Sequence, residues 1–200
     1  RESAHHKCPP KRNGISRMDS GRYNIFELPQ SCQATVIPGG QPMLLQEGEQ
    51  VVVTQTLGGS ATVQTSMGYL VRISAEDSAA FGLTEPVAET VLVDGAPFDM
   101  EQVTEQLRHV FDPEIPINVV DLGLIYGCEA KPLEDGTYRI EIKMSMTAPG
   151  CGMGDVLKND ALAEVTLVAG VSDVDVELVW EPPWGQDRMS EAARLQLGMF

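Results

Sequence analysis

Hydrophobic and polar positions along the 200 residues change their period near the middle of the chain. Short β-branched and alternating runs at 35–37, 42–45, 50–56, 60–65 and 69–73 are separated by Gly39-Gly40, Glu47-Gly48, Gly58-Gly59 and Met67-Gly68. Val51-Val52-Val53-Thr54 has strong strand propensity, and Gly58-Gly59 stands where a tight hairpin turn belongs. Five such runs in about forty residues predict a small all-β, barrel-like module over 34–83, ending in a brief helix at 76–81. Residues 84–97, with Pro86, Gly95 and Pro97, read as a connector.

From 98 onward the spacing is helical at first. Asp99 is a candidate N-cap with Gln102 three residues on, and Met100, Val103, Leu107 and Val110 follow on one face. Pro113 predicts the end of that helix, because the residue before a proline is pushed out of the α region. The apolar run 119–126 predicts a buried strand, and Tyr138, Ile140, Ile142, Met144 and Met146 alternate with polar residues as a second. A helix over 155–169 ends at Gly170, a strand carries Val174, Val176, Leu178 and Trp180, and Ser190 caps a last helix through Leu197. The order α-β-β-α-β-α over 98–200 predicts an α+β fold with one small sheet, preceded by the barrel-like module.

Charge narrows the range of partners. Fourteen Lys and Arg stand against 29 Asp and Glu, a formal net charge of −15. Nucleic acid is disfavoured, since phosphate binding needs a clustered basic footprint. An anionic membrane surface is disfavoured for the same reason. The distribution is uneven: residues 1–17 hold five basic residues and one acidic, so the chain from Met18 holds nine basic and 28 acidic. Residues 1–17 have no apolar run for a signal peptide or a membrane span, and the leader they open extends to 33. It is expected to be a partly disordered leader, or an over-extended start ahead of Met18, rather than a basic docking arm or a His5-His6 metal site.

From Met18 onward the ligand inventory is Cys32, Cys128, Cys151 and His109. No two cysteines lie closer than 23 residues, which leaves no CxxC zinc or redox motif. An odd, scattered set argues against a disulfide framework and predicts a reducing, cytoplasmic setting. One chain also lacks a self-sufficient set of four clustered thiolates.

Cys151 is the first candidate for chemistry. It lies in Thr147-Ala148-Pro149-Gly150-Cys151-Gly152-Met153-Gly154, between a strand and a helix start. Converging backbone N–H groups and the positive end of the helix both favour a thiolate, the form needed by a ligand or a nucleophile. A small residue at a tight turn reads equally well from the same pattern. The glycine spacing is not that of a phosphate loop, and no lysine follows. Asp112-Pro113-Glu114, followed by Asp121, places carboxylates at a helix-to-strand corner. They read either as oxygen ligands facing the Cys151 loop or as turn caps and solvated acids. His109 is the one candidate base for a Cys–His nucleophile in this part of the chain; at a helix end it also reads as a complement to the macrodipole.

The run 112–126, DPEIPINVVDLGLIY, resembles the signature of the metal–sulfur cluster biosynthetic family that includes PaaD-like proteins. The 147–151 loop, Trp180-Glu181-Pro182-Pro183-Trp184 and Met189-Ser190-Glu191-Ala192-Ala193-Arg194 resemble it too, closest to its SufT group. Val36-Ile37-Pro38-Gly39-Gly40 and Thr56-Leu57-Gly58-Gly59-Ser60 extend the likeness to the first half. One departure is Gly152, where the wider family commonly has proline.

The resemblance implies an auxiliary factor in iron–sulfur cluster assembly or delivery to apoproteins, not an enzyme. Carried over by motif, its cofactor-binding residues are Cys151, Thr147, Asp112, Glu114 and Asp121. Cys151 is expected to be a transient ligand to a cluster or iron, shared with a partner or a second subunit, or a partner-docking thiol, with no tightly bound cofactor. The partners implied are assembly scaffold or carrier proteins and apoprotein clients, with a homodimer as a further option. The alternatives are an adaptor that binds no metal and a thiol enzyme using Cys151 and His109.

Overall fold

The computed structural model describes residues 24–84, 97–148 and 152–199. The first part is a six-stranded antiparallel sheet. Its strands are β1 (Asn24–Glu27), β2 (Cys32–Val36), β3 (Pro42–Leu45), β4 (Gln50–Leu57), β5 (Ser60–Thr65) and β6 (Leu70–Ile73), ordered β1-β4-β5-β6-β2-β3. The barrel-like closure expected from the sequence is therefore corrected to an open sheet, with β1 and β3 as its edges. The sheet also begins earlier than residue 34. Leu28 and Cys32, both within the expected leader, are buried in its core with Ala34, Val51, Val63, Val71 and Ile73. A four-residue edge strand such as β1 is too short to show a period, which is why the pattern missed it. Helix α1 (Ala75–Ala80) is capped by Ser74, whose Oγ accepts the Asp77 N–H at 3.1 Å.

The second part follows the predicted order of elements. Helix α2 (Met100–Leu107) starts at Asp99, whose carboxylate accepts the Glu101 N–H at 3.0 Å. It stops six residues short of Pro113, and Val110 lies beyond it, buried in the core. Strand β7 (Ile125–Pro132) pairs antiparallel with β8 (Tyr138–Met144), and β9 (Val171–Leu178) pairs parallel with β8. Helix α3 (Gly154–Thr166) makes the crossover, as a parallel connection requires. A 3-10 turn (Gln186–Arg188) and α4 (Glu191–Gln196) complete the chain, with Ser190 Oγ accepting the Ala193 N–H at 3.1 Å.

Two expectations are corrected in this part. The run 119–124 is a buried turn, and the strand starts only at Ile125. Val119, Leu122 and Leu124 are buried as an apolar run should be, but Leu122 N–H returns to Asn118 O and Leu124 N–H to Val119 O. Asn118 and Gly123 supply the turn chemistry that a hydrophobic count overlooks. Trp180 lies past the end of β9 and is exposed.

The helices cover one face of the three-stranded sheet. Val103 and Leu107 of α2 and Leu157, Ala161 and Val165 of α3 pack with Ile140, Ile142, Met144 and Val176. Burial of this set supplies most of the driving force for the domain, since each such side chain is worth about 1.5–3 kcal/mol. The opposite face carries charges, among them Lys131 paired to Glu141 and Arg139 Nε 3.3 Å from Asp173. Most of the predicted connector, 85–96, and residues 1–23 of the leader lie outside the described residues.

The two parts touch at several points. Arg72 on β6 pairs with Asp160 on α3 at 2.7 Å. At the β4–β5 hairpin a Cβ on Gly58 would overlap the His109 carbonyl oxygen. Ile37 packs against the second core.

Candidate functional site

The stretches singled out in the sequence converge on the buried turn 119–124. Ser145, just past β8 on the way to Thr147, donates its N–H to Leu124 O at 2.8 Å. The C-terminal segment closes over the same turn. Trp184 Nε1 donates to Leu122 O at 2.8 Å, Ser190 N–H donates to Asp121 O at 2.8 Å, and the Arg188 guanidinium lies 3.8 Å from the centre of the Tyr126 ring. Ser145 and the stretches 112–126 and 184–190 therefore form one continuous patch of structure, although 62 residues of sequence separate Leu122 from Trp184.

Within that patch the carboxylates are differently engaged. Asp112 is buried, and its Oδ1 accepts the N–H groups of Glu114 at 2.8 Å and Ile115 at 2.9 Å. The sequence Asp-Pro-Glu favours this, because the proline fixes the corner and the short acid side chain reaches the next two amides. Burial raises the Asp112 carboxyl above the usual carboxylate value, with the two N–H bonds acting against that rise. Asp121 Oδ2 accepts from Arg108 Nη1 at 2.9 Å and from Asn118 Nδ2 at 2.7 Å. Desolvation works to raise its carboxyl, but hydrogen bonds from Asn118, Ser190 and Arg108, with the Arg108 charge, hold it below the usual value. Glu114 is exposed, and Thr147 is half-buried beyond the end of β8.

Cys151 lies outside the described residues. The chain after it begins at Gly152, and α3 follows with Met153 at its N-cap making no side-chain cap bond. The other cysteines in the described residues are set apart by burial. Burial pushes the Cys128 thiol up to about 11. Cys32 is also raised, by burial first and then by the charges of Asp77 and Glu49. His109, the candidate base, has Nδ1 3.6 Å from Glu164 Oε2 on α3. Burial raises the Glu164 carboxyl, the His109 charge and hydrogen bond lower it, and the Asp160 charge raises it further. Among the described residues no three His, Cys, Asp or Glu side chains gather as a group able to hold a metal ion.

Arg108, Asn118, Arg188 and Ser145 are functional-patch residues that were not singled out from the sequence. Asn118 had a readable signal, since an Asn three residues before an Asp can cap the same turn: its Oδ1 accepts the Asp121 N–H at 2.8 Å. The contacts of Arg108 and Arg188 in this patch had none, as Asp121 lies 13 residues from Arg108 and Gly123 65 residues from Arg188.

A family model described as iron-sulfur cluster assembly protein matches residues 100–178. That span takes in the 112–126 stretch and Cys151 together. An Fe-S protein maturation auxiliary factor of Porphyromonas gingivalis is 44% identical over 100 residues, which are 50% of this chain and 91% of that protein. The Fe-S protein maturation auxiliary factor YitW of Bacillus subtilis is 33% identical, over 50% of this chain and 93% of its own length. The Fe-S protein maturation auxiliary factor SufT of Staphylococcus aureus is 33% identical, over 45% of this chain and 98% of its own. The six-stranded sheet lies outside the span of the family model. With nearly the whole length of these relatives represented in it, the chain belongs to the SufT-like family of iron–sulfur cluster assembly proteins.

Proposed function

We infer that this chain assists the assembly of iron–sulfur clusters or their delivery to apoproteins, as a maturation factor and not as an enzyme. Cys151 serves as a transient ligand to cluster or iron, or as the thiol on which a partner docks. The observation that carries this reading is the family match over 100–178, which contains Cys151. A cluster calls for about four thiolates. Within 98–200 the cysteines are Cys128 and Cys151, and burial keeps the Cys128 thiol protonated at neutral pH. Ligation is then shared with a second subunit, an assembly scaffold or carrier, or the apoprotein client, and an incomplete ligand set favours release. In this reading Asp112, Glu114, Asp121 and Thr147 form the surroundings that support the thiol.

Anaerobic reconstitution followed by absorption spectroscopy and iron analysis tests it. The expected result is substoichiometric iron that is lost in Cys151→Ser. Undiminished iron in that variant contradicts a ligand role. A metal-free adaptor is the second reading. It draws support from Asp112 Oδ1, which accepts from the Glu114 and Ile115 amides, and from Asp121 Oδ2, which accepts from Arg108 and Asn118. It predicts no iron on either protein, with partner capture retained in both.

A further inference from the structure

The three-stranded sheet has two long edges, β7 and β9, and they differ in charge. On the face away from the helices, β7 presents Glu129 and Lys131 and ends at Pro132. β9 presents Asp173, Asp175 and Glu177 at every second position, all exposed. The sheet does not neutralise this row. Arg139 of β8 is divided among Glu141, Asp173 and Asp175, at 3.8, 3.3 and 4.0 Å. Opposite Asp175 stands Glu141, another acid.

The backbone of the same strand is half used. Val179 N–H donates to Met144 O at 2.8 Å, so by the alternation of a parallel ladder Asp173, Asp175 and Glu177 turn their N–H and C=O groups toward β8. Val174, Val176 and Leu178 turn theirs to the outer side, where no strand follows among the described residues. The side chains of these three point away from the acids and pack in the second core. The edge thus combines backbone groups able to accept a strand with carboxylates that select its charge. A second copy of β9 would set acid against acid, so the row opposes self-pairing.

We propose that β9 is a docking edge for an extended segment of a partner protein that carries Lys or Arg at every second residue, with apolar residues between. The segment adds as a fourth strand. Its main chain bonds to Val174, Val176 and Leu178, and its cations lie beside Asp173, Asp175 and Glu177. Its apolar residues extend the row formed by Val174, Val176 and Leu178 on the helical side. Main-chain bonding gives affinity with little regard to sequence, so discrimination falls to the acid row. The edge is independent of the reading of Cys151.

The test is backbone amide exchange of the full chain, read residue by residue by NMR, with the peptide KVKVKV added and with EVEVEV and KKKVVV for comparison. The amides of Val174, Val176 and Leu178 should exchange rapidly in the free protein and slow about tenfold or more when KVKVKV saturates it. Those of Asp175 and Glu177, already bonded to β8, should change less. EVEVEV should leave all of them unchanged. KKKVVV has the same charge without the alternation and should bind about tenfold more weakly or worse. Two variants separate charge from backbone. The triple change Asp173→Asn, Asp175→Asn and Glu177→Gln removes the charge alone. Val174→Pro keeps the charge and removes one outward N–H, at a position where an edge strand tolerates proline. Each should weaken KVKVKV binding about tenfold or more. If Val174→Pro fails to fold, the exchange pattern of the wild type and the neutralised triple variant still decide. Outer amides that exchange slowly before any peptide is added show an edge already covered, and they overturn the proposal. Equal binding of KKKVVV, or undiminished binding by either folded variant, overturns it as well.

Discussion

Arg72 on β6 and Asp160 on α3 form an ion pair of 2.7 Å between the six-stranded sheet and the helical layer of the second domain. The arginine is further held by Ser60, whose Oγ accepts from Nε at 3.1 Å. Their side chains are only 12% and 29% exposed, so this pair is screened far less than a surface bridge.

Removing one partner leaves a shielded charge without its counter-ion. Arg72→Ala should therefore destabilise the chain by about 1–3 kcal/mol, and Asp160→Asn by less. Urea unfolding measures both. A double mutant no worse than Arg72→Ala alone identifies the pair as the source of the loss.

Asp112 gives the protein a distinctive acid-side profile. Its carboxyl is raised in the folded chain by burial, so the folded state holds the proton more tightly than the unfolded state does. This contribution is complete below the ordinary value of 3.8 and is lost as pH climbs through the folded value. Asp112→Asn keeps an acceptor oxygen for the Glu114 and Ile115 amides but cannot titrate. Its unfolding free energy should lack the decline that the wild type shows just above pH 3.8.

Asp121 acts in the opposite sense. Its carboxyl is lowered, so its stabilisation is present above the ordinary 3.8 and is lost as pH falls through the folded value. Asp121→Asn should give a shallower loss of stability in strong acid than the wild type. Arg108→Ala should move the acid limb part of the way, because Arg108 supplies a hydrogen bond and the charge while the Asn118 and Ser190 bonds remain. Chemical denaturation at a series of acidic pH values reads both.

Thiol reactivity should separate the cysteines of the folded chain. Cys128, pushed up to about 11, and Cys32, raised in the sheet core, should alkylate at neutral pH far more slowly than in the denatured chain. Peptide-resolved mass spectrometry with and without denaturant checks this. Equal rates in the two states would show that their burial does not control them.

The elements legible in the sequence were those with a sustained period or a local cap. The alternation through Ile140, Ile142 and Met144 became β8, and Asp99 and Ser190 cap α2 and α4 as their spacing predicts. The edge strand β1 was too short to register. The run 119–124 was read by hydrophobicity alone, and its Asn118 and Gly123 bend it into a turn that is just as buried as a strand would be. At the site, Asp112 and Asp121 were found through their motif. The pairing of Arg108 with Asp121, the contacts of Arg188 with Gly123 and Tyr126, and the approach of Gly58 to His109 depend on contacts between distant segments. One-dimensional spacing carries no trace of such contacts, whereas the folded chain makes them explicit.

The proposed part of Cys151 in iron–sulfur protein maturation can be tested inside cells. Its most direct test replaces the native protein in its own cells with Cys151→Ser at equal abundance and assays the activity of iron–sulfur enzymes. The account predicts that those activities fall while the circular dichroism and urea midpoint of the purified variant match the wild type. Iron–sulfur enzyme activities unchanged from wild type would contradict it.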